Sequence, residues 1–297
     1  MEVELVSRLK GHRSGVYKVF FTGYEDEFLS LGGDGWCVKW SMQNEEEGEL
    51  VLKDDDNLLT GCMGNDQVVY AGSLQGNLLY ADRESGLARK IVHHKKGLYD
   101  ILVYEDKLMT VGGDGLFTIW DKERLRPLET VQVNEKGFRK ICIDGDENIA
   151  LAGRDGHLYR LNYKSRRVFD VVKHIHNGPI FSIVTSKDLN HFISCGLDAK
   201  INMVDKLTGN ILHTVPAHMS TVNALSIHPS GQFVASAARD RTIKVWQTED
   251  LKLLKVIDFG KFKGHEHSIN SIDWDGDGHH LISGSDDRTV CLWKVSL

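Results

Sequence analysis

Three residues near the start of the chain have the side chains of a hydrolase triad. His12, Ser30 and Asp34 combine a general base, a nucleophile and an orienting carboxylate. The same residue types, each followed by a Trp six residues after the Asp, recur along the chain. The four sets are His12/Ser30/Asp34/Trp40, His94/Thr110/Asp114/Trp120, His218/Ser236/Asp240/Trp246 and His265/Ser283/Asp287/Trp293. A catalytic set is not normally repeated in this way, so we interpret the four sets as buried, mutually satisfied hydrogen-bond groups.

Two further groups of residues could bind a metal. Asp273, Asp275, Asp277 and Gly278 match the first half of a calcium loop, but position 12 is Gly284 rather than Glu. We therefore predict a hairpin turn there. The five cysteines are far apart and contain no Cys-x-x-Cys, which argues against a zinc site or a disulfide framework and favours buried free thiols. We expect no metal, no cofactor and no catalytic residues.

The composition is that of an ordinary globular protein. The 297 residues are 41% hydrophobic and 26% charged, with a net charge of -6, which excludes a general polyanion binder. No apolar stretch is long enough to span a membrane, so we expect no membrane partner. The first residues are acidic and lack an apolar signal core, and a cytoplasmic location is the default expectation.

Internal repeats organise the whole chain. In residues 28–40, 108–120, 234–246 and 281–293, a Ser or Thr lies four residues before an Asp and a Trp lies six residues after it. Weaker copies fill the intervals. The Asp position of each unit, called the anchor position, falls at residues 34, 75, 114, 155, 198, 240 and 287, and residue 75 is Gln. Short period-two segments separated by Gly and Asp turns predict four strands per unit, which is typical of a radial β-repeat.

The sequence resembles the WD-repeat β-propeller family. The resemblance lies in the Ser/Thr, Asp and Trp spacing, in Gly11-His12 and Gly264-His265, and in Trp120-Asp121. It implies an all-β, seven-bladed propeller with four-stranded antiparallel blades, forming a single domain over residues 1–297. It also implies that each His, Ser or Thr, Asp and Trp set ties a loop to its blade. Blades 2 and 4 lack the His and the Trp, so we expect them to depend mostly on apolar packing and to be the softest.

The chain ends predict how the ring closes. The last unit stops after Trp293, one strand short, whereas Val3–Val6 precede the first unit and have no unit of their own. We predict that this N-terminal segment forms the outer strand of the last blade, because pairing both ends in one sheet removes an open seam.

In such a fold the binding residues lie on the loops and rims, because the strand residues pack within and between the sheets. By analogy with the family, two sets of residues project to the mouth of the central channel. The first set is Tyr17, Thr60, Tyr99, Arg139, Phe181, Asn223 and Asn270, and the second, which precedes the anchor positions, is Gly33, Leu74, Gly113, Arg154, Leu197, Arg239 and Asp286. Tyr and Arg are enriched in interface hot spots. We therefore predict partner binding by Tyr17, Tyr99, Arg139, Arg154, Phe181, Asn223, Arg239 and Asn270; the alternative is that some of them simply plug the channel.

Charge is uneven along the chain. Residues 2–85 hold 16 acidic and 7 basic residues, whereas residues 136–173 hold 9 basic and 5 acidic ones. The acidic runs Glu45–Glu47 and Asp54–Asp56 are interpreted as solvated loops. Lys164, Arg166 and Arg167 form a basic group predicted on the opposite face. The connection 257–263 contains Phe259 and Phe262. These side chains either pack against the underside of the propeller or are exposed for contact with a partner.

These observations favour a non-enzymatic scaffold or adaptor that binds a protein or peptide, and the arginines favour an acidic or phosphorylated one. We expect a monomer outside its complex and no nucleic-acid partner. Two alternatives stay open. One is a propeller enzyme with a channel metal, which needs converging carboxylates or histidines. The other is a nucleic-acid-associated adaptor that uses the basic group of blade 4.

Overall fold

The computed structural model describes residues 1–24, 26–43, 48–64, 67–188 and 190–296. These residues form 28 strands in seven four-stranded antiparallel sheets, which confirms the predicted seven-bladed propeller. The acidic run Glu45–Glu47 lies outside the described residues, whereas Asp54–Asp56 lies in the connection between blades 1 and 2.

The first four blades follow the chain in order. Blade 1 contains β2 (Val16–Phe21), β3 (Glu27–Gly32), β4 (Trp36–Ser41) and β5 (Glu49–Lys53). Blade 2 contains β6 (Leu58–Met63), β7 (Val68–Ser73), β8 (Asn77–Asp82) and β9 (Ala88–Val92). Blade 3 contains β10 (Leu98–Tyr104), β11 (Lys107–Gly112), β12 (Leu116–Asp121) and β13 (Arg126–Gln132). Blade 4 contains β14 (Phe138–Gly145), β15 (Asn148–Gly153), β16 (Leu158–Asn162) and β17 (Arg167–Val172).

The last three blades complete the ring. Blade 5 contains β18 (Ile180–Thr185), β19 (His191–Gly196), β20 (Lys200–Asp205) and β21 (Ile211–Pro216). Blade 6 contains β22 (Val222–Ile227), β23 (Phe233–Ala238), β24 (Ile243–Gln247) and β25 (Leu253–Ile257). Blade 7 contains β26 (Ile269–Trp274), β27 (His280–Ser285), β28 (Thr289–Ser296) and, as its outer strand, β1 (Glu2–Lys10).

Burial falls from the channel to the rim. The second strand of each blade is buried on both faces, as in β3 and β27, because neighbouring blades cover both sides of the sheet. The outer strands, such as β9 and β21, are mostly exposed. The core therefore consists of apolar layers between adjacent blades, for example Leu31 of blade 1 against the apolar side chains of blade 2.

The ring closes as predicted. Strand β1 pairs antiparallel with β28 from Glu2 opposite Ser296 to Lys10 opposite Thr289, with one bulge between Leu5 and Ser7. Val3 and Leu5 pack against the apolar core of blade 7. The N-terminal segment thus contributes both ladder hydrogen bonds and buried apolar surface to the last blade.

The long connection before blade 7 contains one helical turn, α1 (Phe259–Phe262), which the sequence did not indicate. Asp258 caps it by accepting a hydrogen bond from the Lys261 amide. Phe262 packs against the core of blade 7, whereas Phe259 stays 37% exposed. Within the described ranges, no helix has the length and apolar character needed to cross a membrane.

The segment that resembles a calcium loop forms the predicted hairpin between β26 and β27. Asp273 lies in β26 and accepts a hydrogen bond from the Phe21 amide of blade 1, and Asp275 accepts one from the His280 ring. The five cysteines are free, as predicted; three are buried and two are half-buried. Burial raises the pKa of the Cys37 and Cys142 thiols to about 12.

Candidate partner-binding site at the channel mouth

The triad-like residues form a closed hydrogen-bond chain. In blade 1, His12 Nδ1 lies 3.0 Å from the Asp34 carboxylate and Nε2 lies 2.7 Å from Ser30 Oγ. The connectivity is that of a hydrolase, but Ser30 is fully buried and its hydroxyl also accepts a hydrogen bond from Trp40 Nε1 at 2.7 Å. Because this hydroxyl is enclosed by protein partners, the set is structural, as predicted.

The same geometry recurs in blades 3, 6 and 7. Trp120, Trp246 and Trp293 each donate to the Ser or Thr hydroxyl of their blade at 2.8–2.9 Å, and the His ring lies between that hydroxyl and the Asp. Burial is the largest single effect and would raise the pKa of Asp34, but the hydrogen bonds from His12 and from the Arg13 and Trp36 amides together outweigh it, so this pKa lies below its ordinary value.

Sequence reasoning missed a fifth, incomplete set in blade 5. His176 lies 2.8 Å from Asp198 and 2.9 Å from Ser194 Oγ, although Val204 takes the place of the Trp. The available signal was the spacing, since His176 precedes Asp198 by the same 22 residues that separate His12 from Asp34.

Blades 2 and 4 replace the set with other polar contacts, which add to their apolar packing against the neighbouring blades. In blade 2, Asp56 accepts a hydrogen bond from the Gln75 amide at 2.7 Å. In blade 4, the Tyr159 hydroxyl donates to Asp155 at 2.7 Å. Blade 4 also holds a buried ion network that joins Asp144 to Arg160 at 2.7 Å and to Lys206 of blade 5 at 2.8 Å.

The channel opens into a cavity of about 270 Å³ on the face that carries the His loops and Asp turns. All seven residues of the first predicted set line it, and each inner strand contributes at least one neighbouring residue as well. Two consecutive side chains of each inner strand reach the cavity because every inner strand has a β-bulge near its start. At each bulge the register shifts across one extra residue. A bulge re-aims side chains and bends the strand.

The bulges define two layers of side chains. The mouth layer consists of the bulged residues Tyr17, Leu59, Tyr99, Arg139, Phe181, Asn223 and Asn270. The floor layer consists of the residues that follow them, Lys18, Thr60, Asp100, Lys140, Ser182, Ala224 and Ser271. The prediction for blade 2 was therefore wrong by one residue: Leu59 is the mouth residue, and Thr60 lies in the floor layer, where it donates to Asp100 at 3.3 Å.

Arg139 lies between two aromatic residues of the mouth layer. Its guanidinium carbon lies 4.0 Å from the ring centroid of Tyr99 and 5.0 Å from that of Phe181, so two aromatic rings clamp it. Its Nε is buried without a partner, and its terminal nitrogens make no hydrogen bond with another described residue. Burial lowers the pKa of Arg139, with Tyr99 opposing this effect. The guanidinium is thus held in place with unused donors at the cavity.

The other predicted residues differ in how they are placed. Arg154 lies on the rim with its guanidinium carbon 6.0 Å from the Tyr99 ring centroid. The Asn223 amide donates to the Ile269 carbonyl at 2.8 Å, and the Asn270 amide donates to Val16 at 3.0 Å, so both amides join neighbouring blades. Arg239 is exposed and does not line the cavity.

The second set borders the mouth layer. At Gly33 an added Cβ would lie 3.0 Å from the Tyr17 ring, so glycine lets that ring lie against the turn. Gly113 approaches Tyr99 in the same way. Leu74 and Leu197 are exposed on the rim, and Asp286 accepts a hydrogen bond from Asn270 at 2.7 Å.

The floor layer, of which the sequence indicated only Thr60, carries charge. Lys140 Nζ lies 3.0 Å from Asp100, which also accepts a hydrogen bond from the Ile141 amide at 3.0 Å. Lys18 makes no hydrogen bond or ion pair with another described residue. Burial, followed by the nearby Lys140, lowers the pKa of Lys18. The only sequence signal was that these residues follow the mouth positions directly.

The basic group of blade 4 lies on the turn between β16 and β17, at the opposite end of the strands from the mouth. Lys164 lies 2.6 Å from Glu147 and Arg166 lies 3.0 Å from Glu129. Two of its three cations are therefore paired within the chain. Over the described part of the chain, no three His, Cys, Asp or Glu side chains are grouped so as to hold a metal ion.

The comparisons with known proteins agree with this architecture. The family model described as "WD domain, G-beta repeat" matches residues 209–247 and 258–294. The chain is 29% identical to WD repeat-containing protein 37 of Xenopus laevis, over 98% of this chain and 50% of that protein. It is 22% identical to protein tipD of Dictyostelium discoideum, over 97% of this chain and 48% of that protein. This chain thus spans about half the length of these relatives.

Two further matches cover different extents. Pre-mRNA-processing factor 19 of Mus musculus is 31% identical over 109 residues, which cover 37% of this chain and 20% of that protein. Among solved structures, the WD40 β-propeller domain of Doa1 matches with a TM-score of 0.88 at 22% identity, over 99% of this chain and 97% of that one. This likeness shows a shared fold.

Proposed function

The chain is a seven-bladed WD-repeat β-propeller, and from that premise we propose that it is a protein-interaction scaffold that binds an acidic protein or peptide at its channel mouth. WD-repeat propellers are in general non-enzymatic interaction scaffolds. The observation that carries the proposal is Arg139, clamped between Tyr99 and Phe181 with unused donors at an open cavity.

The composition of the mouth supports a peptide partner. Aromatic rings and arginine are the side chains most often found in binding hot spots, and here Tyr99, Arg139, Arg154 and Phe181 are contiguous. Their surroundings add positive charge, since Lys95 and Lys96 lie exposed on the loop beside Tyr99. An acidic partner would gain charge-assisted hydrogen bonds to Arg139.

The cavity is a poor catalytic site. Among the described residues that line it, Asp100 is the one carboxylate and none is a histidine. Asp100 already binds Lys140 and the Ile141 amide, so it is not available as a general base or a metal ligand. These observations favour the scaffold over an enzyme with a channel metal.

Affinity capture tests the proposal. The full chain and the variant Tyr99→Ala/Arg139→Ala/Arg239→Ala are used as baits in an extract of the native cell, and bound proteins are identified by mass spectrometry. The matched control is Lys164→Ala/Arg166→Ala/Arg167→Ala on the opposite face. We expect the mouth variant to lose specific partners that the control retains.

The opposite pattern would contradict the proposal. If the control loses the partners and the mouth variant keeps them, the functional surface lies at the β16–β17 turn. Salt-dependent nucleic-acid binding that is lost only in the control would favour the nucleic-acid adaptor instead. The cytoplasmic location, which the five free thiols support, and the monomeric state outside a complex stay predictions.

A further inference from the structure

The cavity below the mouth contains two cations with no protein partner. Lys18 lies in the floor layer and Arg139 in the mouth layer, and neither makes an ion pair with another described residue. By contrast, Lys140 in the same cavity is paired with Asp100 at 3.0 Å. Both cations are half-buried at an open cavity, so an anion that entered it would gain charge-assisted hydrogen bonds from the two of them.

The charge balance limits which anion fits. Lys18, Arg139 and Lys140 are the cations that line the cavity. Asp100 lines it too, and Asp273 lies close enough to Lys18 to influence its pKa. Counted over the lining cations and these two carboxylates alone, the surplus is one positive charge, and Arg154 adds a further cation on the rim. A monoanion balances this surplus, whereas a phosphate group, with its charge of about −1.5 to −2, would exceed it.

The volume of the cavity also suits a single side chain. This volume of about 270 Å³ is that of several water molecules and is too small for a folded element. Tyr99 and Phe181 hold the Arg139 guanidinium at the entrance, so its position is fixed before a ligand enters. The preorganised guanidinium lowers the entropic cost of binding.

We propose that the cavity receives one acidic side chain of the partner, whose carboxylate binds between the Arg139 guanidinium and the Lys18 ammonium. This inference rests on the proposed function. It gives Lys18 a role in selecting the partner, which binding at the rim alone would not give it. Carboxylates are the ordinary monoanions of peptides, so the partner segment is one with a Glu or Asp at its centre.

Peptide display tests the inference. Random heptapeptides are selected for binding to the full-length chain, to Lys18→Met, to Arg139→Met and to the control Lys252→Met, which changes an exposed lysine between β24 and β25. We expect Asp or Glu to be enriched at one position with the unchanged chain and with the control, and not with the other two. Lys18→Arg keeps the charge and should retain the enrichment, and thermal unfolding checks that each variant is folded.

Synthetic analogues of one selected peptide then identify the anion. Replacing its Glu by Gln should weaken binding to the unchanged chain about tenfold, and Lys18→Met should weaken binding of the Glu peptide by about the same factor. Phosphoserine in place of that Glu should bind no better than Glu. Tighter binding of the phosphopeptide, or equal binding of the Glu and Gln peptides, would overturn the inference.

The outcomes separate this inference from the proposed function. Peptides that bind the unchanged chain, lose binding with Tyr99→Ala and show no acidic preference would leave the proposed function standing and refute the carboxylate pocket. Selected peptides whose binding is unaffected by every mouth variant, or no selected peptide at all, would contradict both.

Discussion

The Arg139 guanidinium lies 4.0 Å above the ring of Tyr99, and the two side chains come from the bulged residues of adjacent inner strands, β14 and β10. The bulges turn both side chains toward the channel mouth. Phe181 covers the other face of the guanidinium, so its position depends on both rings.

Tyr99→Ala should therefore weaken partner binding without unfolding the ring. Removal of one ring releases Arg139 and eliminates a hot-spot aromatic, with an expected loss of about 2 kcal/mol in binding free energy. The measurement is the dissociation constant of the captured partner by calorimetry. The control is Tyr24→Ala, an exposed tyrosine on the turn between β2 and β3. Equal losses in both variants would count against a specific role for Tyr99.

Ser30→Ala should destabilise the whole ring. Ser30 Oγ contacts both His12 Nε2 and Trp40 Nε1, and its removal leaves two buried polar groups without a partner. The expected cost is about 1–3 kcal/mol in the free energy of unfolding. Urea denaturation measures it, with Ser85→Ala on an exposed turn as the control. An unchanged midpoint would show that water replaces the hydroxyl and that these hydrogen bonds contribute little to the free energy of unfolding.

Acid should unfold the protein through the same hydrogen-bond sets. In Asp34, Asp114 and Asp198, burial opposes ionisation, but the hydrogen bonds from the His ring and from two backbone amides together outweigh it and lower each pKa below the ordinary 3.8. The folded chain then binds fewer protons than the unfolded chain, so the stabilisation is fully present above about pH 5 and is lost as the pH falls through the lowered pKa values. Melting temperatures should fall slightly below about pH 6.5, because burial lowers the pKa of His176, and should fall steeply below pH 4. A melting temperature that stays constant down to pH 2 would refute this coupling.

Ala199→Gly should stabilise blade 5. Ala199 has a φ of 62°, in the left-handed region, directly after the anchor residue Asp198, and blades 1 to 4 have Gly at the equivalent position. A residue with a Cβ is strained there by about 1 kcal/mol, part of which Gly recovers. Thermal unfolding should show a higher melting temperature for Ala199→Gly and a lower one for Ala199→Val. A lower melting temperature for the Gly variant would show that chain entropy outweighs the strain.

The repeat spacing was enough to predict the blade number, the closing strand and four of the hydrogen-bond sets. The reason is that each depends on residues whose type and spacing recur. His176 was missed because its blade lacks the Trp that marks the other sets. Lys18 and the rest of the floor layer apart from Thr60 were missed because a strict period-two strand places neighbouring side chains on opposite faces. The bulges bring both to the cavity, and the same feature caused the one-residue error at Thr60.

The turn α1 was missed for a different reason. It is only four residues long, and no hydrophobic periodicity can be recognised over so short a segment. Its position is set by tertiary contacts, since Phe262 packs on the core of blade 7.

Backbone hydrogen exchange of the chain, measured with and without the captured partner, shows directly which surface the partner covers. We expect slower exchange in the presence of the partner at the start of β10 and β14 and in the loops 93–97 and 133–137, which surround Tyr99 and Arg139. Exchange in the turn 163–166 on the opposite face should not change. Protection confined to that turn or to the outer strands, with the mouth unaffected, would contradict the claim that the partner binds at the channel mouth.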